Sequence, residues 1–139
     1  MILLDTGPLV ALFDPRDRDS TACHEILEAI REPLYTSEAV VTEALHLLQA
    51  GSRGAEGLKQ FLIESYATVL PLDHAGLERA FELMDRYADC PMDFADATLI
   101  VLAEKLKTRK IFTLDWDDFS VYRIKRGYRH YPVDLVLKP

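Results

Sequence analysis

Carboxylates are the residues of this chain best placed to do chemistry. Asp5 closes the apolar run Ile2–Leu4, and Asp115 closes the segment Lys110–Leu114. An acid at the end of a buried strand sits on the rim where open α/β sheets bind their ligands, although it can equally cap the helix or turn that follows. Glu43 lies in the mostly apolar stretch Ala39–Leu48, with Val40, Ala44 and Leu47 at helical spacing around it. A carboxylate on such a face is costly unless paired, hydrogen-bonded or bound to a metal; the alternative is the solvent edge of the helix. Asp93 and Asp96 are spaced to share one face of a first helical turn. An N-cap or a favourable helix dipole accounts for Asp93. It accounts less well for Asp96, which precedes the apolar run Ala97–Ala103. Asp115, Asp117 and Asp118 crowd one acidic turn.

Four separate segments thus deliver an acid to one end of a plausible sheet. Clustered like charges do not all stay ionised without a counter-cation. Oxygen ligands without Cys or His favour Mg²⁺ or Mn²⁺ over zinc. Such an ion polarises a phosphate, lowers the pKa of water and stabilises a leaving oxygen, which is the chemistry of phosphodiester hydrolysis. Cys23 and Cys90 lack metal-ligand spacing and read as two reduced thiols. Glu43 and His46 have the Glu-x-x-His spacing of di-iron bundles, but no second copy exists and the strands argue against a bundle.

The elements needed to hold these acids are legible in outline. Short apolar runs at Ile2–Leu4, Pro33–Thr36, Thr68–Leu72, Lys110–Leu114 and Pro132–Leu137 read as strands. Thr6–Pro8 reads as a turn before a helical turn over Leu9–Phe13. Helical periodicity covers Thr21–Arg31, a stretch capped by Ser37 and reaching Ala50, Ala55–Ser65, a stretch opened by Asp73 or His74 and reaching Tyr87, and a last one from Pro91–Asp93 to Leu106. Strands alternating with helices predict a three-layer α/β/α fold around a parallel sheet of about five strands. The 139 residues show no repeat or linker and read as a single domain, 1–139.

Taken in order, these segments resemble the PIN-domain nucleases, and within them the prokaryotic toxin ribonucleases of the VapC type. Leu4–Leu12 (LDTGPLVAL) resembles the first motif of that family, Ser37–Leu45 (SEAVVTEAL) the second, Asp93–Ile100 (DFADATLI) the third and Thr113–Phe119 (TLDWDDF) the fourth. The resemblance spans essentially the whole chain. It implies a sheet order of 3-2-1-4-5 and metal ligation by Asp5, Glu43, Asp96 and Asp115. It further implies support from the hydroxyls of Thr6 and Thr113, and auxiliary roles for Asp93 and Asp117. It also implies Mg²⁺- or Mn²⁺-dependent cleavage of RNA, a homodimer, and a small antitoxin protein that inhibits the nuclease. A metal-binding PIN-like module without catalysis, and a PIN nuclease of RNA processing outside any toxin–antitoxin pair, are the alternatives.

Charge bounds the substrate. The net charge of −7 does not favour a polyanion. Its distribution does: residues 1–103 carry 7 Lys and Arg against 18 Asp and Glu, whereas residues 104–139 carry 9 against 5. Tyr122–Tyr131 (YRIKRGYRHY) offers Arg123, Lys125, Arg126 and Arg129 as phosphate contacts and Tyr122 or Tyr128 as stacking faces, or else a solvated loop. No apolar run approaches the ~20 residues of a membrane span, and the N-terminus lacks a signal-peptide pattern. A cytoplasmic protein is expected. A haloacid-dehalogenase-type phosphatase wants a second acid where Gly7 stands. A receiver domain wants an acid pair and a late Lys that the chain lacks in that form.

Overall fold

The computed structural model describes residues 1–136. Strands β1 (Ile2–Leu4), β2 (Leu34–Ser37), β3 (Thr68–Leu70), β4 (Lys110–Phe112) and β7 (Asp134–Leu135) form one sheet in the order β3-β2-β1-β4-β7. Every pairing in it is parallel, with Leu3 opposite Tyr35 on one side and Ile111 on the other. The expected order 3-2-1-4-5 holds, with β7 as the fifth strand of the sheet. The expected end of that strand, Leu137, lies outside the described residues.

The central strands are short and apolar because both faces are covered. Leu3, Leu4, Ile111 and Phe112 are fully buried. Flanking them are helices α1 (Thr6–Phe13), α2 (Ser20–Ala29), α3 (Glu38–Leu48), α4 (Arg53–Ile63), α5 (His74–Arg86), α6 (Phe94–Leu106) and α7 (Trp116–Val121). Helix α6 is buried without interruption from Ala95 to Ala103, so it is the central helix of the core. Three hydroxyl or carboxyl caps start helices where the sequence predicts them. The Ser37 Oγ accepts from the Val40 amide, Asp73 from Gly76 and Asp93 from Asp96.

Three local expectations are corrected. Thr6–Pro8 is not a turn: α1 starts directly after β1, because Pro8 in a first helical turn gives up an amide that has no helical partner anyway. Trp116–Val121 folds as α7 instead of remaining an acidic turn. Tyr122–Tyr131 is not a loop: β5 (Arg123–Arg126) and β6 (Arg129–Pro132) form an antiparallel hairpin. Its two-residue connection begins at Gly127, whose φ of +63° suits glycine and the twist of a tight hairpin.

Helix α4 approaches α1 closely at Gly54. A Cβ there would lie 2.6 Å from the Phe13 carbonyl oxygen and 2.9 Å from a Leu48 methyl carbon. The carbonyl belongs to backbone and has no room to yield. Gly54→Ala is therefore expected to cost about 1–3 kcal/mol, the usual range for overpacking, and urea denaturation measures it. An unchanged midpoint would mean that α4 is free to shift.

Candidate active site

The carboxyl ends of β1 and β4 are neighbours, so the acids that follow them meet. Thr113, at the end of β4, binds them together. Its Oγ1 donates to Asp5 Oδ2 at 2.7 Å and accepts from the Asp115 amide at 3.0 Å. Asp96 enters from the first turn of α6, whose burial carries it inward. The Tyr122 hydroxyl donates to its Oδ2 at 2.8 Å. Glu43 comes from the middle of α3. Asp5, Thr6, Glu43, Asp93, Asp96 and Asp115 all line one open cavity of about 450 Å³. Asp17, from the connection between α1 and α2, lines it too.

The tightest group is not the expected quartet. Carboxylate oxygens of Asp96, Asp115 and Asp118 all lie within 4.8 Å of one another. Asp118 follows Asp115 by three residues and shares its face of α7. Neither Asp118 nor Asp117, the latter expected as an auxiliary acid, is among the residues that line the cavity; Asp118 is set apart by the approach of its carboxylate to Asp96 and Asp115. Recognising Trp116–Val121 as helical would have selected Asp118 by its spacing alone. Asp17 carries no such signal in the sequence.

The electrostatics follow from burial and crowding. Burial pushes the Asp96 carboxyl up to about 8, and the charges of Asp5 and Asp93 add to it despite the Tyr122 hydrogen bond. Burial raises Asp5 to about 6, against the opposing hydrogen bond from Thr113. Partial desolvation, then a hydrogen bond and charge shared with Asp118, raise Asp115. Burial, with the Asp96 charge beside it, keeps the Tyr122 phenol a donor far beyond the usual range. No ion pair among the described residues reaches any of these acids. In addition, Thr6 Oγ1 is buried without a hydrogen-bond partner. An all-oxygen donor set, uncompensated negative charge and an orphaned hydroxyl fit a hard divalent cation.

The basic hairpin lies elsewhere. Tyr122 is fully buried, packed edge-on against Phe119 and Tyr87, and so is no stacking face for a base. The Arg123 guanidinium donates to the carbonyls of Ser120, Val121 and Tyr122. The Lys125 amide donates to Glu104, which also holds Arg79, and Arg126 reaches the Lys107 carbonyl. The hairpin thus runs along α6 from Asp96 towards its C-terminus. Its tip, with Arg126, Arg129 and the fully exposed Tyr128, sits roughly 16 Å along that helix from Asp96, taking 1.5 Å per residue.

A parallel α/β sheet of this order, with carboxylates gathered at the carboxyl edge of its central strands, defines a narrow structural class. The PIN-domain model matches residues 2–125, and the chain belongs to the PIN-domain family. It is similar to the ribonuclease VapC26 of Mycobacterium tuberculosis, with 33% identity over 131 residues, covering 92% of this chain and 96% of that protein. Among solved structures, VapC20 of Mycobacterium tuberculosis, a toxin that cleaves the sarcin–ricin loop, matches with a TM-score of 0.78 at 22% identity. The match covers 85% of this chain and 92% of that one. A chain of the FitAB complex bound to a DNA fragment matches with a TM-score of 0.61 at 24% identity, covering 86% and 88%. No helix among the described residues is long and apolar enough to cross a membrane.

A pH dependence follows from the raised carboxyls. Their folded pKa values of about 6 and about 8 lie above the ordinary value of 3.8. The folded state then binds more protons than the unfolded one across that window, so this stability is present at low pH and is lost as pH rises. In EDTA, stability followed by thermal melting is expected to fall between pH 5 and pH 8, by no more than about 1.4 kcal/mol per pH unit for each carboxyl. Asp96→Asn is expected to flatten the profile and raise the pH 8 value. A flat wild-type profile would show that the cluster is not strained.

Proposed function

We propose that this chain is a Mg²⁺- or Mn²⁺-dependent ribonuclease and the toxin of a toxin–antitoxin pair, acting in the cytoplasm. The observation that carries the reading is the convergence of Asp5, Glu43, Asp96 and Asp115 on one cavity whose lining includes no basic side chain. The likeness to a ribonuclease over almost its whole length supports the substrate class.

Asp5, Glu43, Asp96 and Asp115 would hold the ion, with Asp118 beside Asp96 and Asp115 as a further oxygen donor and Asp93 as an auxiliary acid. When bound, the ion supplies Lewis-acid activation of the phosphodiester and of the attacking water. The residues themselves orient the site. Thr113 fixes one oxygen of Asp5 and the backbone of Asp115, so the carboxylates of β1 and β4 keep one spacing. Tyr122 fixes one oxygen of Asp96 and leaves the other for the cavity. Thr6 presents a hydroxyl with no protein partner, available to a carboxylate, water or ion.

An exposed apolar face supports the partner reading. Phe81 and Phe94 are exposed with their rings 6.1 Å apart, beside a groove of about 410 Å³ that Ala39, Leu70, Leu72 and Leu77 help to line. An apolar face of this kind supports association with a second copy of the chain or with an antitoxin. Arg123, Lys125, Arg126 and Arg129 would guide the part of the RNA distal to the cut, since the hairpin tip is displaced from the acids.

The decisive experiment is cleavage of a mixed pool of structured and single-stranded RNA in Mg²⁺, in Mn²⁺ and in EDTA. Wild type is expected to cut in either metal and not in EDTA, and Asp96→Asn is expected to lose at least a hundredfold in rate. Equal cutting by both proteins would remove Asp96 from the site. Reversing Arg126 and Arg129 to Glu is expected to weaken RNA binding and to reduce its salt slope by about 0.7 for each phosphate no longer engaged. Fluorescence anisotropy across a salt series measures this, and an unaltered slope would exclude the hairpin from the RNA path.

A further inference from the structure

The carboxylate cavity shares one wall with a second cleft, which no hairpin residue lines. Leu47 lines both and is 56% exposed. It follows Glu43 by one turn of α3, about 6 Å along the helix axis. The second cleft, of about 220 Å³, lies between the end of α1 and the connection from α3 to α4, and its two cationic walls are Arg16 and Arg53. The packing of Gly54 on the Phe13 carbonyl fixes the spacing of those walls.

The Arg16 wall is held from behind. Its amide donates to Asp14 Oδ1 at 3.0 Å and its Nε to the same oxygen at 3.2 Å, while its side chain is 90% exposed. The next residue, Asp17, belongs to the acidic cavity. The Asp17 amide donates to the Asp14 carbonyl, and its Oδ1 accepts from the Asp19 amide. One short, hydrogen-bonded turn therefore points an acid to one side and a guanidinium to the other. Arg53 is exposed and makes no ion pair among the described residues. Gln49 and Ser52 add neutral polar groups to the lining, and Asp14, which also lines the cleft, offsets one of its two positive charges through the ion pair with Arg16.

An acidic site that receives a polyanion needs cationic groups near its mouth that the site acids do not neutralise. Arg53, without an ion pair among the described residues, meets that need, and Arg16, paired with Asp14 through Nε and 90% exposed, adds its remaining guanidinium donors; the hairpin tip is too distant to do so. Guanidinium forks match phosphate oxygens in a way that an ammonium does not. We propose that the Arg16–Arg53 cleft binds the backbone phosphate of an RNA nucleotide adjacent to the scissile bond. This rests on the ribonuclease reading and adds to it the direction in which the substrate leaves the site, across Leu47.

The test measures binding of a fluorescein-labelled pool of single-stranded RNA oligonucleotides in Mg²⁺, in an Asp96→Asn background so that the RNA stays whole. Adding Arg16→Gln and Arg53→Gln together is expected to weaken binding roughly tenfold and to reduce the salt slope by about 0.7 per phosphate released. Removing equal charge with Arg31→Ala and Lys59→Ala, which touch neither the acids nor the hairpin, is expected to leave affinity within about twofold. Arg53→Glu, which does not touch the Asp14 turn, is expected to weaken binding on its own and covers the case in which the double variant misfolds. In otherwise wild-type protein, the double substitution is expected to raise KM more than it lowers kcat. Unchanged affinity and slope overturn the proposal, even if the double variant loses a co-expressed companion protein, since the cleft would then be a protein-docking surface. Cutting by wild type together with unchanged RNA binding in the arginine variants overturns the cleft alone. Absence of any RNA binding or cutting by the parent overturns both the cleft and the ribonuclease reading.

Discussion

The structure depends on a repulsion. Asp5, Asp96 and Asp115 approach one another at the edge of a buried sheet, and no basic side chain among the described residues pairs with them. Burial and like charge raise the pKa of each, so the fold maintains an arrangement that is unfavourable at neutral pH without a cation. Such an arrangement persists only where the surrounding structure over-determines it. Here the determinants are the adjacency of β1 and β4, the Thr113 bridge between them, and a central helix buried along nine consecutive residues from Ala95 to Ala103.

Those determinants are mostly non-polar and non-local, which explains how a small domain carries so concentrated a charge. Leu3 and Leu4 pack under Asp5, Ile111 and Phe112 under Thr113 and Asp115, and Leu99 and Ile100 behind Asp96; all six apolar residues are fully buried. Each acid thus stands at the end of an element anchored by large aliphatic or aromatic side chains. Tyr122 joins the two kinds of residue. Its ring packs with Phe119 and Tyr87, and its hydroxyl meets Asp96.

Much of this was legible in the sequence because it rests on patterns with a fixed period. Apolar runs ending in Asp marked β1 and β4, and the caps at Ser37, Asp73 and Asp93 marked three helices. The sheet order came from family resemblance, since no spacing in the chain encodes it. What escaped had no periodic signal or had a misleading one. Six residues from Trp116 to Val121 are too few for helical periodicity to stand out, and with that helix went the choice of Asp118 over Asp117. The hairpin was obscured because its strands are charged on the exposed face and carry a single fully buried residue, Ile124. Asp17 reaches the cavity through a turn made of local hydrogen bonds, which no hydrophobic pattern reports.

The wide sequence separation within the acid cluster bears on synthesis. Asp5 emerges first from the ribosome, but its partner strand β4 begins at Lys110, and the Tyr122 that steadies Asp96 comes later still. Strand β1 lies at the centre of the finished sheet and has no parallel neighbour on its β4 side until nearly all of these residues have been made. The centre therefore cannot assemble before β4 and Tyr122 have been made. On the ribonuclease reading, a fragment that stops short of β4 lacks Asp115 and the strand that brings it to Asp5.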